Sequence, residues 1–159
     1  MIFVLWIIGL GTGCKIYKQV KTNHSSFISP SLIEERSFVN LCKPLLPRPG
    51  RSAICGMLQS IYTKTPIPKT AFYLMRVTET TLPAILTGPD KKRGDILGVS
   101  DAQGMVFIDD IPPGYYYILV WAPYNWLLAV KSPEDLTPRL IVLEPDKQYM
   151  LGIIYVPWP

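Results

Sequence analysis

Histidine is nearly missing from this chain, and with it go the commonest catalytic arrangements. His24 is the single histidine among 159 residues, and it precedes the part in which we expect a folded domain. A Ser/His/Asp triad or a Cys/His pair therefore cannot be assembled inside that domain. The H-E-x-x-H, G-x-x-x-x-G-K-[ST] and G-x-S-x-G motifs are also absent from the sequence. We expect a protein that is not an enzyme and that uses no cofactor.

The usual ligand patterns for a metal ion are missing as well. The chain has three cysteines, none of them in a C-x-x-C pair, so we expect no zinc site. Aspartates cluster near predicted turns, where carboxylates could in principle form a calcium site or an acid/base pair; they are Asp90, Asp95, Asp101, Asp109 and Asp110. Because aspartate commonly binds the backbone N–H groups of its own turn, we expect a turn-forming role for them.

Charged residues are sparse, at 18% of the chain, and the net charge is only +4. The densest basic cluster is Lys91–Arg93, whereas nucleic-acid-binding proteins concentrate lysine and arginine on one face or helix. We interpret the cluster as a solvated loop and expect no nucleic-acid partner.

No apolar run is long enough to cross a membrane as a helix, which takes about 20 residues. The uncharged segment 1–13 instead has the length of a secretory signal, and the polar segment that follows it begins with Cys14 and Lys15. The sequence Leu10–Cys14 resembles a bacterial lipobox, which implies that Cys14 receives a lipid. We therefore expect residues 1–14 to be a lipoprotein-like signal and the mature protein to lie at the extracytoplasmic face of a bacterial membrane. The alternatives are an ordinary cleaved signal and an uncleaved anchor.

The other two cysteines, Cys42 and Cys55, admit two interpretations. In an oxidising compartment they could form a disulfide, closing a short loop. They could equally be buried free thiols, and the sequence leaves both interpretations open.

Two segments follow the signal. Residues 15–52, called the lead below, are polar and contain a candidate short helix near 29–34, where Ser31 and Glu34 have the spacing of a capping box. In residues 53–159 short β-type runs alternate with turn signals. The predicted strands are 53–61, 70–79, 83–87, 95–100, 104–109, 115–122, 139–144 and 149–156. This pattern predicts an all-β domain, a sandwich of seven to eight antiparallel strands.

Four sequence features in this order carry a family resemblance: Gly56 in the first strand, Pro66–Leu74, Ser100–Ile108 and Ile111–Val120. Together they resemble the carboxypeptidase regulatory-like domain, a transthyretin-like sandwich related to the B-type repeats of bacterial collagen adhesins. The resemblance covers about residues 53–156. It implies a structural or protein-interaction module that holds no active site of its own.

The resemblance also assigns faces to the two strands around Pro112–Gly114. It implies that Tyr116 points into the core, and strand alternation then places Ile118, Val120, Val106 and Ile108 inward too. The outward residues form an apolar stripe, expected on one face: Met105, Phe107, Tyr115, Tyr117, Leu119 and Trp121. Such a stripe must be covered or must bind a partner. We expect the lead to cover it with Phe27, Leu32, Ile33, Phe38, Val39 and Leu41.

Large aromatic residues surround the end of one strand, at Trp121, Tyr124 and Trp126. Aromatic rings of this kind either pack over the end of a sandwich or form platforms on which sugars stack. The candidate surface for a protein partner or a glycan is therefore Tyr115, Tyr117, Trp121, Tyr124 and Trp126. The principal expectation is a membrane-tethered structural or protein-interaction module, and the alternative is a carbohydrate-binding module that uses Tyr124 and Trp126.

Overall fold

The computed structural model describes residues 41–159, except positions 43, 45, 79, 81 and 83–86. The predicted signal, Cys14, the candidate helix near 29–34 and most of the predicted strand 83–87 lie outside the described residues. Within the described part, no helix has both the length and the apolar composition needed to cross a membrane.

The fold is a β-sandwich, as predicted. The described part contains eight strands: β1 Ser52–Ser60, β2 Ala71–Val77, β3 Ile96–Val99, β4 Met105–Ile111, β5 Gly114–Ala122, β6 Asn125–Leu128, β7 Leu140–Leu143 and β8 Lys147–Val156. A short 3-10 turn, Lys91–Arg93, precedes β3. Strand β6 is absent from the sequence prediction, which left Asn125–Leu128 in a loop; it pairs with β5 across a two-residue turn, with Ala122 opposite Asn125.

The strands form two sheets. The three-stranded sheet has the order β4-β1-β8, and the five-stranded sheet has the order β3-β2-β5-β6, with β7 also pairing with β5. All strand pairs are antiparallel except β1 and β8, which run parallel along Ser52–Ser60. The parallel pair joins the first and last strands, whose connection passes through the rest of the domain, as parallel pairing requires.

The core lies between the sheets and contains the side chains that were assigned to it. Val106, Tyr116, Ile118 and Val120 are buried there, and Ile108 packs against them. The inward assignment is therefore confirmed. Tyr116 also donates a hydrogen bond from its hydroxyl to the Pro112 carbonyl oxygen at 2.7 Å.

The outward residues, however, do not form one stripe. Strand β4 pairs with β1 in the three-stranded sheet, whereas β5 pairs with β2 in the five-stranded sheet. The segment Pro112–Gly114 therefore crosses from one sheet to the other and does not close a hairpin. Met105 and Phe107 lie on one outer face of the sandwich, and Tyr115, Tyr117, Leu119 and Trp121 lie on the opposite one. The prediction of a single stripe was wrong because alternation gives the face of a strand but not its sheet.

Candidate partner-binding face

The outer face of the five-stranded sheet is apolar from edge to edge. Directly opposite residues on neighbouring strands share a face, and the pairing joins Leu97 to Tyr73, Tyr73 to Leu119, and Leu119 to Leu128. The complete outer face consists of Leu97, Val99, Ala71, Tyr73, Met75, Val77, Tyr115, Tyr117, Leu119, Trp121, Trp126, Leu128, Leu140 and Val142. An antiparallel sheet with one solvated face normally carries polar residues on it, so this composition requires a covering or a partner.

The centre of the outer face is covered by the connection between β2 and β3. Leu82 of that connection packs against the cluster of Tyr73, Met75, Tyr117 and Leu119. The Tyr117 hydroxyl donates to the Thr80 carbonyl oxygen at 2.7 Å, and the Tyr73 hydroxyl donates to that of Thr87 at 2.6 Å. Burial raises the pKa of Tyr73. Tyr117 is consequently only 5% exposed and does not form part of an accessible surface.

A buried carboxylate holds this connection in place. The Asp95 side chain is fully buried and accepts hydrogen bonds from the backbone N–H of Arg76 at 3.0 Å and of Asp90 at 2.8 Å. The Arg93 guanidinium donates to both oxygens of the same carboxylate, at 3.0 and 2.5 Å, and that hydrogen bond raises the pKa of Arg93. Asp95 therefore orders the chain before β3.

Asp101 has a comparable role in the turn between β3 and β4. Its carboxylate oxygen Oδ1 accepts from the N–H groups of Gln103 and Met105, both at 2.8 Å. Asp110 is paired with Arg48 and Arg51. Across the described residues, no group of three or more His, Cys, Asp or Glu side chains is arranged to hold a metal ion.

The end of the lead attaches to the other outer face, that of the three-stranded sheet. Cys42 and Cys55 form a disulfide there, and Met105 is buried against it. Of the six residues expected to cover the stripe, Leu41 is described and is 50% exposed. The other five, Phe27, Leu32, Ile33, Phe38 and Val39, lie outside the described residues.

One end of the five-stranded sheet's outer face is exposed. Val99 lies opposite Ala71, and Trp121 lies opposite Trp126, so the four side chains form one row across the sheet. Val99 is 65% exposed, its neighbour Leu97 61% and Trp121 41%, while Tyr124 at the tip of the β5–β6 turn is 96% exposed. We call Leu97, Val99, Trp121, Tyr124 and Trp126 the open end.

Leu97 and Val99 were missed as site residues, although the predicted strand 95–100 contained them. Their alternation with Ile96 and Gly98 would have placed both on one face of that strand. The sequence did not show that this face is continuous with Trp121, since that depends on strand order. Tyr115, the remaining predicted residue, lies at the opposite end of the outer face beside Val142.

The tryptophans of the open end pack against their neighbours and form no flat platform. Trp126 is half-buried and meets Tyr73 nearly edge-on, with ring centroids 4.8 Å apart at 86°. Trp121 and Trp126 are 5.1 Å apart and inclined at 61°. The Trp158 indole Nε1 donates to the Trp121 carbonyl oxygen at 3.1 Å, which fixes this corner of the sandwich.

No protein-family model matches the chain, and no curated protein matches it. Solved structures with some similarity include a proposed carbohydrate-binding protein from Pseudomonas aeruginosa, with 15% identity over 69% of this chain and 91% of that chain, at a TM-score of 0.40. A streptococcal ancillary pilin has 17% identity over 70% of this chain and 29% of that chain, at 0.40. The 5-hydroxyisourate hydrolase of Klebsiella pneumoniae has 17% identity over 65% of this chain and 90% of that chain, at 0.36. Similarity this low decides nothing about what the present chain binds.

Proposed function

We propose that this chain is a non-catalytic interaction module of the carboxypeptidase regulatory-like kind, and that it binds a protein partner through the open end. The module is tethered at the extracytoplasmic face of a bacterial membrane. The observation that carries the proposal is the division of one apolar sheet face into a covered centre and an exposed end. Tyr117 and Leu119 are buried, whereas Leu97 and Val99 are mostly exposed on the same face.

The exposed residues have the character of an interface centre. Trp and Tyr are enriched among residues that dominate binding energy, especially where apolar neighbours surround them. Burying one aliphatic or aromatic side chain of the open end contributes about 1.5–3 kcal/mol of transfer free energy. A row of such side chains therefore contributes favourable free energy to a contact with a second protein, against the entropy lost on association.

The Cys42–Cys55 disulfide supports the exported location. Disulfides form and persist in oxidising compartments and are rare in the cytosol. Together with the lipobox-like sequence ending at Cys14, the bond favours a lead that runs from a membrane-anchored cysteine to the outer face of the three-stranded sheet.

A glycan ligand is the alternative function. The ring geometry argues against a sugar-stacking platform formed by Tyr124 and Trp126. Sugar stacking requires an exposed flat ring, but Trp126 is wedged between Tyr73 and Trp121 at steep angles. Tyr124 alone keeps an almost fully exposed ring. The open end therefore fits an apolar protein surface better than a carbohydrate.

A site-specific photo-crosslinking experiment in intact membranes tests the proposal. A photoreactive phenylalanine analogue replaces Tyr124 in one strain and Tyr62 in a control strain; Tyr62 is 67% exposed in the β1–β2 turn. We expect a discrete protein adduct from position 124 that Val99→Asp removes and that position 62 does not give. The same adducts from both positions, or glycan-array binding of the purified protein that Tyr124→Ala abolishes, would overturn the protein-partner proposal.

A further inference from the structure

Resting on the proposed function, we infer that the partner supplies an extended segment that adds as a strand to the free edge of β3. The segment alternates apolar side chains, which meet Leu97 and Val99, and carries acidic residues at its flanks. The inference has three supports: the direction of the β3 backbone groups, the protection of the other sheet edges, and the charges around β3.

In β3, the backbone N–H and C=O groups of two residues point away from the neighbouring strand β2. The Ser100 N–H donates to the Thr70 carbonyl oxygen at 3.0 Å, and Gly98 lies opposite Phe72 in the same register. Hydrogen-bonded positions alternate along an antiparallel strand. The N–H and C=O groups of Leu97 and Val99 therefore face away from β2, toward the free edge of β3.

The residues on either side of β3 agree with this direction. Asp95 precedes β3 and Asp101 follows it, and at both residues the N–H group is turned away from β2. Their N–H groups donate to Asp90 and Met105 rather than to β2. The chain thus satisfies these two N–H groups just before and just after β3, and within the described residues no further strand pairs with β3 itself.

The edge of the three-stranded sheet at β8 is protected against added strands. The Arg139 guanidinium donates to the carbonyl oxygens of Leu151 at 2.8 Å and Ile153 at 3.0 Å, and the Val130 N–H donates to Tyr155 at 2.8 Å. These contacts occupy β8 groups that would otherwise bind another strand.

The other edges carry their own obstacles. On β4 the register shifts opposite Ser52 and Ile54, where Asp109 and Asp110 place two carboxylates, and charge combined with irregularity discourages pairing. On the far side of β5, the connection between β6 and β7 contains Pro133 and Pro138, and proline at a sheet edge discourages pairing. By contrast β3, with the sequence Ile-Leu-Gly-Val, has no charge, proline or register shift.

The charges around β3 specify the flanks of the partner segment. Lys91 and Lys92 are exposed just before the strand, and no ion pair involves them in the described part of the chain. Lys69 is also exposed and lies at the other end beside the exposed Asp101, whose carbonyl oxygen accepts from the Lys69 N–H at 3.0 Å, so the excess of positive charge lies at the Lys91–Lys92 end. Complementary charge increases association rates and fixes the register of a bound segment.

A peptide-binding experiment on the full mature chain tests strand addition. The probe is a labelled peptide of sequence Asp-Asp-Val-Thr-Val-Thr-Val-Asp-Asp, and the matched peptide has its valine nitrogens methylated. We expect binding by fluorescence anisotropy, roughly tenfold or more weaker for the methylated peptide because backbone donors are lost. Equal binding of the two peptides, or no binding of either, overturns strand addition.

Protein variants then locate the site. Val99→Pro removes an N–H that no described contact uses, and it should weaken peptide binding about tenfold, as a lost backbone hydrogen bond predicts. The double variant Lys91→Glu, Lys92→Glu should weaken it at low salt and much less at high salt. Lys131→Glu, at an exposed lysine beyond the opposite edge of the sheet, serves as the control. Unchanged peptide binding in both β3 variants overturns the assignment of the site to β3. If Val99→Pro fails to fold, the methylated peptide still tests strand addition on the wild-type chain.

The two proposals can fail separately. If position 124 crosslinks to a protein in membranes while both peptides fail to bind, the open end binds a partner but not by strand addition. If the mature chain dimerises in sedimentation and Val99→Pro abolishes the dimer, a second copy occupies β3 and the partner-peptide inference is wrong. Loss of the crosslink as well would overturn the proposed function itself.

Discussion

Two turn glycines, Gly104 and Gly114, both have a positive φ but differ in the space around them. Gly104 has a φ of +81°, and a Cβ there would lie 3.0 Å from the Pro66 Cβ and 3.1 Å from the Ile67 nitrogen. Gly114 has a φ of +152°, but its hypothetical Cβ meets nothing closer than 3.6 Å. Both positions disfavour side chains, yet only Gly104 also lacks space.

We therefore predict a graded loss of stability in three variants. Gly114→Val should cost about 1–3 kcal/mol of unfolding free energy through backbone strain, and Gly104→Val should cost more. Lys92→Ala, at an exposed side chain, should stay within about 0.5 kcal/mol. Urea denaturation measures all three, and equal midpoints would contradict the turn geometry.

The proposed membrane tether depends on lipid attachment at Cys14. Cys14→Ser should leave an unprocessed precursor that incorporates no labelled fatty acid, because the serine hydroxyl cannot form the thioether. Cys42→Ser is the matched control and should be processed like the wild type. Normal processing of Cys14→Ser would exclude a lipoprotein, although not export.

Tyr116 predicts the response of the fold to alkaline pH. Burial raises its pKa in the native state, whereas in the unfolded chain it should ionise at about pH 10. Between these two pKa values the unfolded state binds fewer protons, so stability falls as pH rises; below the lower value tyrosine contributes no pH dependence.

The test compares Tyr116→Phe with Tyr62→Phe, an exposed tyrosine. Tyr116→Phe should lower Tm at neutral pH, since the hydrogen bond to Pro112 is worth about 1 kcal/mol, but its Tm should fall less steeply above about pH 10. Parallel alkaline curves for the wild type and Tyr116→Phe would show that another group controls the decline.

At the scale of elements, strands were easier to predict than their partners. Turn residues such as Pro66, Gly104 and Pro112–Gly114 bracket the apolar runs, and seven observed strands lie close to their predicted ranges. Strand β6 was missed because Trp126 was assigned to an aromatic cluster in the loop after β5. The burial of Tyr117 was missed because its hydrogen-bond partner, Thr80, is far away in sequence. Local patterns carry the period of a strand but not the long-range contacts that decide its neighbours.

The disulfide is the device that joins the lead to β1. Cys42→Ala should lower the unfolding free energy by up to about 3 kcal/mol, the chain-entropy value for a short closed loop. A reducing agent should remove most of the difference in unfolding free energy between Cys42→Ala and the wild type, because it breaks the disulfide of the wild type. The reduced wild type therefore serves as an internal control. A difference that persists unchanged after reduction would assign the effect to packing around Met105 instead of the crosslink.

At the scale of the whole molecule, the Cys42–Cys55 disulfide and the open end lie on opposite outer faces of the sandwich. Cys42 is fixed over the three-stranded sheet, whereas Trp121 and Val99 lie on the outside of the five-stranded sheet, and packed sheets are separated by about 10 Å. This arrangement predicts that the two faces act independently.

Combining Cys42→Ala with Trp121→Ala tests that independence. The two losses of unfolding free energy should add within about 0.5 kcal/mol, as they do for sites without shared contacts. Trp121→Ala should also weaken the crosslink from position 124, whereas Cys42→Ala should leave it unchanged. Strong non-additivity, or loss of the crosslink in Cys42→Ala, would mean that the lead and the open end are coupled through the core, and that the tether regulates binding.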